Sequence, residues 1–425
     1  MNASEAAKNA LQCVLEAKED ESIVIFCDGV KAEIGEAFKK GAKDLKLRIK
    51  LVVLKTSAEV FRTEIPKRLM KYLTTQRPDM YVNILTGTRE ETPFRIKLIH
   101  LETQDHKTRL GHCPGITLDM LTQGALTLTA EEHGEMQSFA EALMEKLKDS
   151  VKIEIRNPAG TNLTLSVKNR PFFTDTRIDW KLMKWMNLPT GEVIVAPVEN
   201  SLEGKLVCDL AIGGIGPVNA PVTMKAREGK VDSVISKDPE VLKRVQNALH
   251  VDAMAKVVGE FAFGINPKAR FTQEFLEAEK MQGTVHIAFG ANTDMPGGEN
   301  DSANHMDFMI SKPTVNAING DGSVIRVLVD GVFQEADPKE EAVEEKLPIS
   351  EFYKVVDYTT IFKSDKWWEA VVIFEVYGKR QIGLYLWQKR KDAWKRKNKF
   401  GVRTLDEWNK LKNAVDQLTP KLATK

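Results

Sequence analysis

The chain has 425 residues, of which 42% are apolar, and its 61 Lys and Arg nearly balance its 60 Asp and Glu. This length exceeds one ordinary hydrophobic core and predicts two or three domains. The four cysteines are scattered singly, which argues against a disulfide framework or a cysteine-ligated zinc site. The N-terminal segment lacks the pattern of a signal peptide, and no uncharged apolar run reaches the roughly 18 residues of a membrane span. We therefore expect a cytoplasmic protein without a membrane partner.

Residues 1–148 alternate compact apolar runs with amphipathic stretches. The runs at 22–30, 47–54 and 78–87 suit buried strands, and the alternation predicts an α/β domain with a parallel sheet. Thr129 and Glu132 form a capping-box pattern that predicts a helix to about residue 147.

Residues 149–336 consist of short strand signals that are separated by Gly, Pro and Asn, which predicts a mostly antiparallel α+β domain. Asp238 and Pro239 are typical of a helix start, and residues 272–280 predict a further helix.

This second domain contains histidines and carboxylates in strand patterns. His305 and Asp307 are two residues apart in a predicted strand, so they share one face, and His286 lies in the strand pattern GTVHIAFG. Glu192 and Glu260 adjoin or interrupt apolar runs, where an unpartnered carboxylate is costly to bury. Each alone has an ordinary reading, as a hydrogen-bonded core histidine or a solvent-facing glutamate. Their joint occurrence favours a site for zinc, cobalt, manganese or iron.

Four segments carry a resemblance to a known family: NLPTGEVIVAPVE, VVGEFAFGINPKAR, GTVHIAFG and HMDFMI. They resemble the aminopeptidase T family of metallopeptidases. The resemblance implies a peptide substrate, a homodimer and two divalent ions (Zn, Co or Mn) in a dinuclear centre. It implies as metal ligands Glu192, Glu260, His286, His305 and Asp307. Glu260 or Glu192 would also carry the proton to the leaving amine.

Two alternatives to the peptidase remain open. His286, His305 and Asp307 alone form the two-histidine, one-carboxylate set of mononuclear Fe(II) oxygenases, and ring-cleaving pyridine dioxygenases are similar to this family. A non-catalytic relic that acts as a binding module is the third possibility. The family tyrosine seven residues after the first histidine is replaced here by Thr293, which bears on peptidase activity more than on metal binding.

Residues 337–350 are acidic, bounded by prolines and poor in large apolar residues, which predicts a linker. The segment 351–425 then has 17 Lys and Arg against 9 Asp and Glu, and it contains 13 of the 31 aromatic residues. Its apolar pattern predicts a small β-rich domain with strands that join at Gly378–Lys379 and an amphipathic closing helix after the capping pattern of Thr404 and Glu407.

This C-terminal pattern resembles the single-strand-binding domain of transcriptional positive cofactor four. Strand alternation places the rings of Tyr385 and Trp387 on one face of a predicted strand. It also places three lysines at 395–399 on one face of the next segment. A basic surface with exposed rings suits single-stranded nucleic acid. The predicted binding residues are Tyr385, Trp387, Lys395, Lys397 and Lys399. The alternatives are that the tryptophans build a small core, or that the domain docks onto an acidic protein surface.

Overall fold

The computed structural model describes residues 1–56, 60–104, 108–179, 185–334, 347–350, 352–364, 366–390, 393–419 and 421. The chain divides into two compact units, Met1–Ala336 and Asp337–Lys425. Within the described ranges, no helix is both long and apolar enough to cross a membrane.

The first part of the larger unit alternates helices and strands. Its elements are α1 (Ala3–Asn9) with a π-helical turn (Ala10–Val14), β1 (Ser22–Asp28), a 3-10 turn (Gly29–Lys31), α2 (Ala32–Asp44), β2 (Arg48–Leu54), α3 (Lys67–Thr74), β3 (Met80–Leu85), a 3-10 turn (Arg89–Glu91), α4 (Thr92–Thr103), β4 (Arg109–Pro114), α5 (Leu118–Thr122) and α6 (Ala130–Leu147). Strands β1 to β4 pair in parallel, which confirms the predicted parallel sheet.

The second part of the larger unit is rich in strands. Its elements are β5 (Ser150–Arg156), β6 (Asn162–Ser166), β7 (Phe173–Thr174), β8 (Trp185–Asn187), β9 (Glu192–Val195), β10 (Glu203–Cys208), β11 (Ala211–Ile212), β12 (Gly216–Pro217), β13 (Val222–Arg227), β14 (Lys230–Ser236), α7 (Pro239–Leu249), β15 (Val258–Gly264), α8 (Phe275–Ala278), β16 (Val285–Gly290), β17 (His305–Ile310), β18 (Thr314–Asn319), β19 (Val324–Val329) and β20 (Val332–Phe333).

One of these strands adds to the parallel sheet, and the others form two antiparallel sheets. Strand β8 joins the parallel sheet, whose order is β2-β1-β3-β4-β8, although it comes after the predicted boundary at residue 148. The eight-stranded sheet has the order β14-β13-β10-β6-β5-β18-β19-β20, and the seven-stranded sheet has the order β12-β11-β17-β16-β15-β9-β7. The domain boundaries themselves stay a prediction.

Helix ends follow the sequence signals closely. Thr129 and Glu132 make both bonds of a capping box at the start of α6, and Asp238 caps α7 ahead of Pro239. The helix expected over 272–280 is shorter, because the chain leaves α8 at Ala278 and turns toward β16.

The largest apolar core lies between the two antiparallel sheets and α6. It includes Leu143 of α6, Ile153 of β5, Phe261 of β15 and Phe308 of β17, all fully or almost fully buried. One face of the seven-stranded sheet is thus committed to this core, which leaves its opposite face free for polar groups.

The smaller unit is a four-stranded antiparallel meander followed by a helix. Its elements are β21 (Lys354–Lys363), β22 (Trp367–Val376), β23 (Lys379–Arg390), β24 (Ala393–Val402) and α9 (Leu405–Leu418). Tyr377 and Gly378 form the β22–β23 turn, both at positive φ, so the strands join one residue earlier than predicted. Thr404 caps α9 as predicted, but no residue of α9 is fully buried, so the helix does not close the described core.

The predicted linker 337–350 falls outside the described residues up to position 346. Leu347 is buried and packs with Trp368 and Trp387 in the core of the smaller unit, with Ile349 against it. The end of the predicted linker therefore belongs to the folded C-terminal unit.

Candidate metal centre

The five predicted ligands come from four neighbouring strands of the seven-stranded sheet. Strand β17 carries His305 and Asp307, β16 carries His286, β15 carries Glu260 and β9 begins with Glu192. Because these strands are adjacent, side chains on one face of the sheet meet without any contribution from distant loops.

Strand register places all five side chains on the face opposite the large core. Several cross-strand neighbours on that face are small: Asp307 lies beside Ala288, His286 beside Ala262 (with Met309 on its other side), and Glu192 beside Gly264. Alternate residues of the same strands are large and apolar and lie in the core, namely Val193, Phe261, Phe263, Ile287, Phe289 and Phe308. Small residues between the polar side chains leave room for an ion.

A β-bulge at Gly259 determines which way Glu260 points. Val258 pairs with Phe289 on the core face, whereas Glu260 pairs with Ala288 on the site face, so the register shifts between them. Without the extra residue, Val258 and Glu260 would share one face. A Cβ at Gly259 would lie 2.5 Å from the carbonyl oxygen of Gly290, so only glycine fits this bulge.

The polar atoms of the five side chains converge around Glu260. Its Oε1 lies 3.1 Å from Nε2 of His286, and its Oε2 lies 3.3 Å from Nε2 of His305. Asp307 Oδ1 lies 3.4 Å from His305 Nε2 and 3.9 Å from His286 Nε2. Glu192 Oε1 lies 3.4 Å from His286 Nε2. The structure thus brings all five predicted residues into one cluster.

The donor set and its spacing fit a divalent metal. Ligand bonds of 2.0–2.2 Å in a tetrahedral arrangement separate the ligand atoms by about 3.3–3.6 Å, which matches the contacts among the carboxylates and imidazoles. Glu260, His286 and Asp307 each offer an atom within 4.8 Å of the others. Oε1 of Glu192 is buried and has no hydrogen-bond partner, so it has a free lone pair facing the cluster.

Three charged residues of the centre were missed by the sequence analysis. Lys280 is almost fully buried, and its Nζ contacts Glu192 Oε2 and lies 2.9 Å from Glu279 Oε1 and 3.6 Å from Asp175 Oδ2. Glu279 and Lys280 were included in a predicted helix, and Asp175 directly follows the two-residue strand β7. The available signal was the pair of adjacent opposite charges at 279–280, a short turn ahead of the apolar strand of His286.

The two strand glutamates, Glu192 and Glu260, have pKa values that shift in opposite directions. Burial raises the pKa of Glu192 well above its usual range, and nearby Asp175 and Glu260 add to this, while Lys280 acts in the opposite direction. Burial alone would raise the pKa of Glu260, but contacts with His286 and His305 outweigh it and hold that pKa low. Glu260 is thus a carboxylate, whereas Glu192 is able to hold a proton.

The imidazoles and Glu279 are perturbed by the same concentration of charge. Burial lowers the pKa of His286, but Glu260 and other carboxylates outweigh it and raise the pKa overall. At His305, partial burial of the ring lowers the pKa, but Asp307 and Glu260 outweigh it and raise the pKa well above its usual value. Burial raises the pKa of Glu279 to about 8, with Lys280 acting against it. These opposing shifts are typical of a functional site.

Buried asparagines hold the loop between the two histidines. Asn292 donates to the carbonyl oxygen of Gly259 at 3.1 Å, and Asn304 donates to that of Phe289 at 3.0 Å. His305 Nδ1 lies 2.8 Å from the carbonyl oxygen of Ala291, which fixes the ring so that Nε2 faces the cluster. Thr293 is exposed in this loop, at the position of the family tyrosine.

The predicted nucleic-acid face of the C-terminal unit is wrong in its aromatic part. Trp387 is 0% exposed and Tyr385 is 1% exposed, and their rings stack on each other at 5.0 Å inside the core. The reason is that the face predicted to be open is the one covered by Trp368 and the residues before β21. Buried rings are unable to stack on bases.

The predicted single-faced row of lysines is also wrong. A β-bulge opposite Leu386 and Trp387 shifts the register of β24 at Lys397. Lys395 therefore pairs with Gln388, whereas Lys399 pairs with Tyr385 on the opposite face, where its Nζ lies 5.3 Å from the Tyr385 ring centre. Simple alternation over 395–399 failed because it assumed a regular strand.

One family model matches the segment that contains the candidate centre. Residues 129–333, which contain all five candidate ligands, match the family model described as thermophilic metalloprotease (M29). No curated protein matches the chain.

Two solved structures share the fold. The 2,5-dihydroxypyridine dioxygenase from Pseudomonas putida KT2440 is 17% identical, with 79% of this chain and 97% of that chain covered and a TM-score of 0.58. Wild-type AmpT from Thermus thermophilus is 15% identical, with 79% of this chain and 99% of that chain covered and a TM-score of 0.54. At these identities the two similarities establish the fold alone. Residues 129–333 thus form a segment of the thermophilic metalloprotease family, and this match supports a metallopeptidase enzyme.

Proposed function

We propose that the chain is a metal-dependent aminopeptidase whose catalytic centre is the cluster of five side chains on the seven-stranded sheet. The observation that carries the proposal is the convergence of Glu260 on both histidines, with Asp307 against them, inside the segment that matches the metalloprotease family. The expected cofactor is zinc, cobalt or manganese, because the donors are imidazole nitrogens and carboxylate oxygens.

The chemistry requires an ion, a water and a proton carrier. Held by this centre, a divalent ion would supply a Lewis acid for the scissile carbonyl and would lower the pKa of a water toward neutrality. Glu260, His286, His305 and Asp307 are the groups that would hold it. His305 is the exposed edge of this set, with 36% of its side chain accessible, so substrate reaches the centre from that side.

Glu192 is suited to carry the proton from the water to the leaving amine. One of its oxygens is held by Lys280, and the other is unpartnered and faces His286. Burial raises its pKa and so favours the protonated carboxyl, which can hold the proton and pass it on, as general acid–base catalysis requires. Glu260 is the less suitable carrier, because its contacts with two imidazoles lower its pKa.

The family match supports an aminopeptidase as the specific activity. Residues 129–333, which contain the cluster, match the thermophilic metalloprotease family, and the segments around the five side chains resemble the aminopeptidase T family. We therefore expect a substrate with a free α-amino group.

The test is hydrolysis of matched peptides by the full-length protein. We expect release of the N-terminal residue from a peptide with a free α-amino group and no release from its N-acetylated form. A chelator should abolish this activity, and zinc, cobalt or manganese should restore it. Cleavage that survives complete metal removal would contradict the proposal, as would a metal-loaded protein that cleaves no peptide of a broad panel.

A second candidate is a mononuclear iron dioxygenase that opens an aromatic ring. It is favoured by the presence of His286, His305 and Asp307 in one cluster, and by the fold shared with a protein whose title names a dioxygenase. Glu260 contacts both imidazoles, so the cluster has a second carboxylate beside Asp307. A set with two carboxylates departs from the two-histidine, one-carboxylate set of the dioxygenases and favours the hydrolase. Iron as the bound metal together with oxygen uptake on a dihydroxypyridine would select the dioxygenase. The homodimer stays a prediction.

A further inference from the structure

Lys280 is a buried cation inside the candidate metal centre. It follows α8 in the turn that leads to the strand of His286, and only 2% of its side chain is exposed. Its backbone is fixed by hydrogen bonds on both sides, from its N–H to Glu277 and from Asn266 to its carbonyl oxygen. The turn therefore determines where the ammonium group lies.

The ammonium group contacts the carboxyl groups on one side of the cluster. Nζ contacts Oε2 of Glu192, lies 2.9 Å from Oε1 of Glu279 and lies 3.6 Å from Oδ2 of Asp175. A buried lysine is stable only when acidic groups compensate its charge, and here the carboxyl groups of three residues lie around Nζ.

A second metal ion would need the same side of the cluster. Two ions in one hydrolytic centre lie about 3.5–4 Å apart and share carboxylates. The first ion has Glu260, His286, His305 and Asp307 within contact distance of one another, so a second ion must draw on Glu192 and the carboxylates beyond it. Those oxygens already surround Nζ, and two buried like charges at contact range repel strongly.

We propose that Lys280 occupies the position of a second cation, so that the centre binds one divalent ion rather than two. The inference rests on the proposed metal-dependent function and refines it. The ion is held by Glu260, His286, His305 and Asp307. Glu192 is paired with Lys280 and remains available to carry a proton, which separates the binding and proton-transfer roles among the carboxylates.

The experiment counts metal ions per chain in the full-length protein. The protein is stripped with a chelator, reloaded with Zn²⁺ or, separately, Co²⁺, freed from excess metal by gel filtration and measured by elemental mass spectrometry. We expect one equivalent in the wild type. Lys280→Met and Lys280→Gln remove the ammonium group and retain its carboxylates, so they should take up two equivalents. Lys280→Arg keeps the charge and should remain at one.

Arg109→Gln is the matched control. Arg109 is also buried and ion-paired, to Glu21 at 2.6 Å, but it belongs to the parallel sheet and should leave the count at one. Two equivalents in the wild type would overturn the inference while leaving the peptidase intact. One equivalent without peptidase activity would remove the proposed function and leave the inference standing. A folded Lys280→Met protein that still takes up one equivalent would show that Lys280 does not exclude the second ion.

Discussion

Asp175 holds Glu192 in place through the backbone. Its Oδ1 accepts hydrogen bonds from the N–H of Glu192 at 2.7 Å and from the N–H of Gly191 at 2.9 Å. Gly191 has φ +135°, and a Cβ there would lie 2.5 Å from the Cβ of Asn266, so this turn requires glycine. The carboxylate of one residue thus sets where the strand of the other begins.

We expect Asp175→Ala to lower metal-dependent peptide turnover by about 100-fold, because misplacing a catalytic group by about 1 Å costs on that scale. The variant loses the hold on Glu192, which carries the proton, and one partner of Lys280. Peptide hydrolysis by the metal-loaded protein measures the loss. Asp321→Ala is the control, since the exposed Asp321 accepts a similar local bond from Ser323 in a distant hairpin. Equal turnover in both variants would contradict the role of Asp175.

His305→Ala should lower metal-dependent turnover by at least about 100-fold while the fold persists. The ring supplies one of the groups that place and activate the water. It is the most exposed member of the cluster, so truncation removes little packing. The measurement is a metal titration with peptide hydrolysis as readout, next to circular dichroism. His250→Ala, at an exposed histidine that ends α7, should retain full activity. Full activity in His305→Ala would exclude the residue from the mechanism.

Much of the site could be predicted from sequence because its residues lie in short, regular strand patterns. His305 and Asp307 at spacing two, and His286 in an apolar strand, needed only alternation to be placed on a face. Lys280 was missed because its partners are about 90 and 105 residues away along the chain at Glu192 and Asp175, and no local pattern encodes such pairing. Tertiary packing decided its environment.

Bulges limited the rest of the prediction. A bulge at Gly259 turns Glu260 toward the site, and a bulge at Lys397 divides the lysines between two faces. Strand alternation predicts sides only while the register is regular. Whether Trp387 is exposed or buried was equally hard to predict, because both faces of its strand carry large apolar residues. The sequence did not reveal which of these faces the preceding segment covers.

Gly259→Ala should lower metal affinity and destabilise the protein together. The added Cβ would collide with the backbone oxygen of Gly290, so the bulge must shift and carry Glu260 away from the histidines. We expect a loss of about 1–3 kcal/mol in the free energy of unfolding. Gly134→Ala is the control, because a Cβ there meets no atom within 4 Å and lies in α6, where alanine is favoured by about 0.5–1 kcal/mol. An unchanged metal affinity in Gly259→Ala would contradict the account of the bulge.

His133 should make the protein less stable in mild acid. Burial lowers the pKa of this histidine to about 4, with Glu132 acting weakly against it. Below about pH 6.5 this histidine takes up a proton in the unfolded chain but not in the folded chain. The free energy of unfolding is therefore at its full value above pH 6.5 and decreases as the pH falls from 6.5 toward 4. At pH 5 the loss from this residue is about 2 kcal/mol. Urea unfolding at pH 7 and pH 5 should show a smaller acid-induced loss in His133→Leu. Equal losses in the two proteins would contradict the assignment.

Trp387→Ala should unfold the C-terminal unit rather than remove a nucleic-acid contact. The ring is fully buried, stacks on Tyr385 at 5.0 Å and lies 5.7 Å from Trp368. Truncation of such a side chain costs about 3–5 kcal/mol, a large part of the stability of a four-stranded unit. Limited proteolysis of the full-length chain, read by mass spectrometry, should reveal cleavage within 352–419 in this variant. Tyr377→Asn is the control, since Tyr377 is 89% exposed at a positive φ that asparagine tolerates, and it should leave this segment protected. A Trp387→Ala protein that stays protected from protease and loses only its affinity for single-stranded nucleic acid would show instead that the ring is part of a binding surface.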